Sequence, residues 1–366
     1  MMNFFHTHIS DKVYEKVESV LRSGYLSEGD VVAEFENELS RKLGLINPVA
    51  VNSGTSALHL ALVLADVGPG DEVILPAQTF VATGLVILMQ GATPVFADIQ
   101  YDTGNISPQD IKHRITKRTK AIMPVHWGGY PCDMDEINQI ADKYHLVVIG
   151  DAAHALGAIY KTHPIAKTSE LTAFSFQAIK HLTTGDGGAL SCLWESDYLL
   201  AKKLRWFGID RAKSKPSILG EREYDIDTIG YKYHMNNLAA AVGLGNLDGF
   251  RTRLLYRHQI AEYYRNELAD VPGLELLKAD YDRTHAYWLF TMLVERREDF
   301  IRKLAEYNIP ASVVHLSIDR NSVFGGLRDD LPNQALWNTQ QVSIPIHEGL
   351  CGIDIHYIAD VIQGGW

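Results

Sequence analysis

Between Pro48 and Leu190 the chain follows a rhythm that few folds can accept. Short apolar runs recur as VAVN, EVILP, TPVFAD, AIMPVH, LVVIGD, TAFSF and GGALSC, and helical patterns such as SALHLALVLADV and MDEINQIADKY stand among them. Runs this short and this rich in β-branched residues read as strands buried on both faces. Strands alternating with helices predict an α/β fold, a mostly parallel sheet covered on both sides. Such sheets take ligands in the crevice outside the carboxyl ends of their strands, so residues that follow the runs are the first candidates for function.

The flanks extend this frame. Apolar spacing predicts helices over residues 9–22 and 31–44, joined by the Gly-containing loop SGYLSEGD. A helix is expected around YLLAKKLRWFG, then a polar loop from Asp210 to Asp227. MNNLAAAVGLGNLDGFRTRLLYRHQIAEYYRNEL reads as one or two long helices with a break near Gly249. GLELL, AYWLFTMLV and ASVVHL read as strands, and REDFIRKLAEYN and DIHYIADVIQGGW as helices, giving a smaller α+β C-terminal domain. The expected division is a large domain over 1–250 and a small one over 251–366. At 366 residues, 46% of them hydrophobic, the chain is long enough for both.

Charge and cysteine usage exclude some partners. A net charge of -11 leaves no general basic field for nucleic-acid phosphates. Apolar stretches are interrupted short of a membrane span. The opening segment lacks an apolar core followed by a small-residue cleavage site. Three cysteines, Cys132, Cys192 and Cys351, are spaced too widely for a redox or zinc motif, and no metal is expected. A cytoplasmic protein is the expectation.

The chemistry concentrates after two strands. Asp151 follows LVVIG, and Lys180 is the fourth residue after TAFSF. A carboxylate and an amine at neighbouring strand ends suit a protonated heteroaromatic cofactor held covalently. The carboxylate would keep a ring nitrogen protonated, and the lysine would form a Schiff base. Asn52 to Ser56 can form a turn whose amides open a helix onto a phosphate, with Ser175 as a hydroxyl ligand. Phe80 can stack on an aromatic ring, and His154 can touch a cofactor hydroxyl. Each has a plainer reading: Asp151 or Ser53 as a helix cap, Lys180 as a surface residue, Phe80 as core.

Taken in order, SGYLSEGD, NSGTSALHLAL, LPAQTFVAT, PVHWGGYPCDMDEI, VVIGDAAHALGA, FSFQAIKHLTTGDGG and IGYKYHMNNLAAAVGLGNLD resemble the DegT/DnrJ/EryC1/StrS family of sugar aminotransferases over nearly the whole chain. The resemblance implies a fold-type I enzyme dependent on pyridoxal 5'-phosphate, with pyridoxamine 5'-phosphate as its intermediate form. It implies a homodimer with shared active sites that moves the amino group of L-glutamate to a nucleotide-linked keto sugar. It gives Lys180 the internal aldimine, Asp151 the pyridine nitrogen, Phe80 the ring stack and His154 a place beside the ring. Thr55, Ser56 and Ser175 are given to the phosphate.

One motif departs from the family. IGYKYHMNN carries Lys232 where an asparagine usually reaches the partner subunit's phosphate, and His234 where arginine is commoner. Lys232 is expected to supply that contact by charge. A branch of the family with histidine in place of the lysine dehydrates sugars, and Lys180 therefore favours transamination. A 4-keto-6-deoxy hexose is the expected acceptor, with the 3-keto isomer, sugar dehydration and a noncatalytic binding protein as alternatives. Tyr25, His315 and Arg320 are expected at the substrate rim.

Overall fold

The computed structural model describes residues 2–211 and 213–366. Seven strands form the large sheet: β1 Pro48–Val51, β2 Glu72–Pro76, β3 Thr93–Ala97, β4 Thr119–Ile122, β5 Val147–Asp151, β6 Leu171–Ser175 and β7 Gly188–Cys192. Their order is β1-β7-β6-β5-β4-β2-β3. From β6 to β3 every pairing is parallel, and β7 runs antiparallel to both β1 and β6. With the smaller α+β C-terminal unit, this is the fold-type I transferase architecture.

Alternation along the strands sets the two faces. Ala50, Ile74, Ile122, Val148, Phe174 and Ala189 enter one apolar core with Phe35, Leu39, Met134 and Ile137. Val49, Val51, Val73, Leu75, Ile149, Leu171 and Leu190 enter the other with Leu58, Leu62 and Ile87. Helices Asp30–Leu43 and Met134–Tyr144 thus cover the first face, and Gly54–Leu64 and Val81–Met89 the second. One buried cation crosses this packing. Arg205 is 2% exposed and is held by Glu36, by the Ala50 carbonyl at 2.8 Å and by Glu28 at 2.6 Å. It ties the second helix to β1.

The expected long helix divides at Gly249 into Asn237–Asn246 and Phe250–Glu267, with Gly249 at φ 64°. A left-handed residue there costs glycine nothing. Beyond it a third core gathers Tyr264, Phe290, Met292, Phe300, Val342 and Ile358. Its sheet is β8 Leu274–Leu276, β9 Phe290–Val294 and β10 Gln341–Ile344, all antiparallel, in the order β8-β9-β10.

ASVVHL is not a strand. It makes one isolated bridge, Ser312 to Ser343, and Val314 takes φ 57°, which breaks the extended path. AYWL of AYWLFTMLV is likewise an approach loop, and pairing starts at Phe290. Among the described residues no helix is long and apolar enough to cross a membrane.

Candidate active site

The carboxyl ends of β1, β5 and β6 and the start of β7 meet at one edge of the large sheet. Ser175, last in β6, pairs with Gly188, first in β7, and Gly188 also pairs with Val51 of β1. A cavity of about 330 Å³ opens there, and Thr55, Phe80, Asp151, His154, Ser175, Lys180, Trp288 and His315 stand in its wall. Seven of these eight are residues that the sequence singles out; Trp288 is the eighth.

Asp151 is buried and fixed. Its Oδ2 accepts a hydrogen bond from the Thr83 hydroxyl at 2.8 Å and its Oδ1 one from the Ala153 amide at 3.1 Å. Thr79 lies 2.7 Å from Thr83, oxygen to oxygen, and extends the chain of hydroxyls. Burial raises the pKa of Asp151, while the Ala153 and Thr83 bonds and the charge of Lys180 act against it. Thr83 belongs to the helix Val81–Met89, which has no polar face to betray it in sequence.

Lys180 follows β6 in a turn closed by its own amide on the Gln177 carbonyl at 2.9 Å. Its ammonium nitrogen lies 3.5 Å from the centre of the Trp288 ring. Desolvation in this apolar wall lowers the lysine pKa to about 7, with Asp151 pulling the other way. A substantial fraction of the amine is thus unprotonated at neutral pH, as a nucleophile requires. Trp288 is itself anchored, since its indole N–H donates to the Ile179 carbonyl at 2.9 Å.

His154 stacks on Trp288 with centroids 3.8 Å apart. Among the described residues its buried Nδ1 has no hydrogen-bond partner. Burial, reinforced by Lys180, lowers its pKa well below the ordinary value, so it is a neutral ring able to donate to or accept from a ligand. His315 is tilted against Phe80 at 5.2 Å and lies 6.0 Å from His154. Burial brings its pKa to about 4.

The turn expected to take the phosphate is tightly built. Ser53 caps the helix Gly54–Leu64, its Oγ accepting the Ser56 amide at 3.0 Å. This leaves the Gly54 and Thr55 amides in the open first turn beside Ser175. A Cβ on Gly54 would stand 2.9 Å from Ser175 Cβ, and one on Gly188 would stand 2.6 Å from the Ser53 carbonyl carbon and oxygen. Only glycine lets these segments close up. Ser56 lies outside the wall because its hydroxyl donates to Asn52 Oδ1 at 2.6 Å. It steadies the turn instead of facing the cavity.

Three other expected residues stand outside the cavity wall of the single chain. Lys232 is exposed, and its carbonyl accepts from Asn52 Nδ2 at 3.3 Å, so its backbone borders the phosphate turn while its side chain faces outward. Tyr25 is exposed, with its carbonyl bonded to Asn237. Arg320 is exposed at the end of the short turn Ile318–Arg320. His234 meets the Trp206 ring edge-on at 3.9 Å.

The residues present fit pyridoxal phosphate: a helix mouth and a serine for the phosphate, an exposed aromatic face in Phe80, a buried carboxylate, an unpartnered imidazole and a depressed amine. A model of the DegT/DnrJ/EryC1/StrS aminotransferase family matches residues 7–363. The chain belongs to this family. It is 38% identical to the spore coat polysaccharide biosynthesis protein SpsC of Bacillus subtilis, over 97% of this chain and 96% of that one. It is 32% identical to the UDP-4-amino-4-deoxy-L-arabinose–oxoglutarate aminotransferase of Shewanella sediminis, over 97% and 95%. The sugar aminotransferase Spr1654 of Streptococcus pneumoniae, described as putative and solved in a PLP and a PMP form, superposes with TM-score 0.92 at 30% identity; the PLP form covers 99% of this chain and 98% of that one. This DegT/DnrJ/EryC1/StrS member is an enzyme, and pyridoxal 5'-phosphate, alternating with pyridoxamine 5'-phosphate, is its cofactor.

Proposed function

We propose that this aminotransferase moves the amino group of L-glutamate to a 4-keto-6-deoxy hexose carried on a nucleoside diphosphate, in two half-reactions on one site. The observation that carries the reading is Lys180, an amine with a pKa near 7, sharing a cavity with the buried carboxylate of Asp151. The relative whose name records a 4-amino sugar and oxoglutarate supports the position of amination and the donor.

Bound pyridoxal phosphate supplies an aldehyde that captures amines and a ring that accepts the electrons left when a proton departs. The rest falls to the protein. Lys180 holds the cofactor covalently at rest; released, it takes the α-proton of glutamate and returns a proton to the cofactor's side-chain carbon. Asp151, fixed by Thr83 and Ala153, holds the pyridine nitrogen protonated. Phe80 stacks on the ring, and Gly54, Thr55 and Ser175 hold the phosphate. His154 meets the ring's polar edge through its unpartnered nitrogen. Trp288 keeps water from the lysine.

In this reading the active unit is a homodimer, in which Lys232 reaches the phosphate of the other subunit's cofactor. Tyr25, His315 and Arg320 form the rim that meets sugar and pyrophosphate. Of the three, His315 belongs to the pocket wall, neutral and next to Phe80, where a sugar hydroxyl would be met by a hydrogen bond rather than by a charge.

The test is stepwise. Loaded enzyme given L-glutamate alone should lose its yellow colour and release one equivalent of 2-oxoglutarate, and Lys180→Ala should do neither. The glutamate-treated enzyme should then convert a nucleotide-linked 4-keto-6-deoxy hexose to its 4-amino product, resolved by NMR. Amination only of the 3-keto isomer would replace the acceptor, and loss of water without amination would replace the reaction class.

A further inference from the structure

A second cluster of ligating groups lies away from the cofactor cavity, where the N-terminal arm crosses the C-terminal unit. His6, His8 and Glu348 each offer one ligand atom, and these atoms lie within 4.8 Å of one another. All three residues are half-buried. Two come from the arm that precedes the first helix, Lys12–Ser23, and the third from the loop after β10, so the cluster joins chain segments more than 300 residues apart.

The surroundings are built rather than accidental. Glu348 is held in place by Arg257, which reaches Oε2 at 2.9 Å. His6 packs on Gly349 so closely that a Cβ there would stand 3.0 Å from the imidazole Cγ and Nδ1. His347 stacks on His6 at 5.7 Å, yet both its nitrogens are taken: Nε2 donates to the Asn3 carbonyl at 2.9 Å, and Nδ1 accepts the Gly349 amide at 3.2 Å. His347 therefore orients the arm, and among the described residues the imidazoles that offer a ligand atom are those of His6 and His8.

We propose that His6, His8 and Glu348 bind one divalent transition-metal ion of the zinc class and so fasten the arm to the C-terminal unit. Two imidazoles and a carboxylate are a donor set for zinc, nickel or copper, with the fourth position left to water. Zinc bonds of about 2.0–2.1 Å place tetrahedral ligands roughly 3.3 Å apart, so rotation of half-exposed side chains must draw the three atoms together. Arg253 and Arg257 lie behind Glu348 and oppose any ion held by charge alone. Magnesium and calcium, hard ions that need several oxygens, are thereby excluded.

The arm leads to the active site. Phe5, next to His6, stacks behind Trp288 with centroids 5.3 Å apart, and Trp288 carries Lys180 on its ring. A metal at His6 and His8 fixes the residue that backs this wall.

The test uses the cofactor-loaded enzyme after dialysis against a chelator. Zinc and nickel are titrated calorimetrically, bound metal is counted per chain, and cobalt is added as a spectroscopic probe. One ion per chain is expected, with a cobalt absorption of low-coordinate nitrogen and oxygen ligation and no uptake of magnesium. His6→Ala and His8→Ala should each weaken binding at least tenfold. His163→Ala, at an exposed histidine outside the cluster, should leave it unchanged. Failure of zinc and nickel to bind the loaded enzyme, or binding undiminished in both arm variants, overturns the site. Because the arm variants lie outside the cavity wall, bleaching by glutamate reports separately on the aminotransferase reading.

Discussion

The amine of Lys180 sits 3.5 Å from the centre of the Trp288 ring. The contact has two opposed effects. The π face favours the charged amine, while the bulk of the indole keeps water away and favours the neutral one. Desolvation wins, and the amine falls to about 7.

The cofactor-free enzyme should therefore capture pyridoxal phosphate at a rate that rises with pH and levels off, with its midpoint near 7 rather than at the ordinary lysine value. Capture needs the neutral amine, so the rate follows deprotonation upward. Trp288→Ala admits water and should move the midpoint up by about one unit or more. Stopped-flow absorbance across pH decides it, and an unmoved midpoint would remove Trp288 from the account.

Asp151→Asn preserves shape and both hydrogen-bonding neighbours but removes the charge. The rate of the glutamate half-reaction should fall by about a hundredfold or more, with little change in the glutamate concentration at half-saturation. Thr83→Val deletes one bond to the carboxylate and should cost roughly tenfold. Single-turnover kinetics would show whether the order is reversed.

Gly188→Ala would push a methyl group against the Ser53 backbone. The fold should survive with the phosphate turn displaced, and pyridoxal phosphate should bind about tenfold or more weakly. Spectrophotometric titration measures this. Unchanged affinity would mean that the turn does not hold the phosphate.

Several buried imidazoles bear on acid stability. Burial lowers the pKa of His154, His181 and His285 well below the ordinary value, and that of His126 to about 3. Above pH 6.5 both folded and unfolded chains keep them neutral. Below it the unfolded chain takes up protons that the folded chain refuses. Stability should fall by up to about 1.4 kcal/mol per pH unit for each such group, His126 contributing down to about pH 3. Melting temperatures from pH 7 to 4.5 should show the decline, and His126→Asn should make it shallower. An equal slope in that variant would exclude His126 as a source.

Much of this was legible in the sequence for simple reasons. EVILP and MDEINQIADKY are one strand and one helix to the residue, because one is an apolar run opened by Glu72 and the other is cleanly two-faced. Asp151 and Lys180 stand at adjoining strand ends, as expected of residues that follow apolar runs. The helix Val81–Met89 was hidden because a nearly all-apolar stretch carries no clear period, and Thr83 was hidden with it. Trp288 reads as a strand residue in AYWLFTMLV, yet sits in the loop before β9, and only tertiary structure places it under Lys180. Ser56 shows the opposite limit: a motif names the residue, but a hydrogen bond to Asn52 turns its hydroxyl away.

The cavity wall draws its proposed reacting and phosphate-holding groups and its cover from different stretches of chain. Thr55, Asp151, Ser175 and Lys180 all precede residue 190, while Trp288 and His315 arrive from beyond the Gly249 joint. Chemistry and enclosure are thus inherited on separate segments. Changes in the later segment can remodel what is admitted without disturbing how nitrogen is moved, whereas a chain cut at the joint would keep every reacting group and stand open to water.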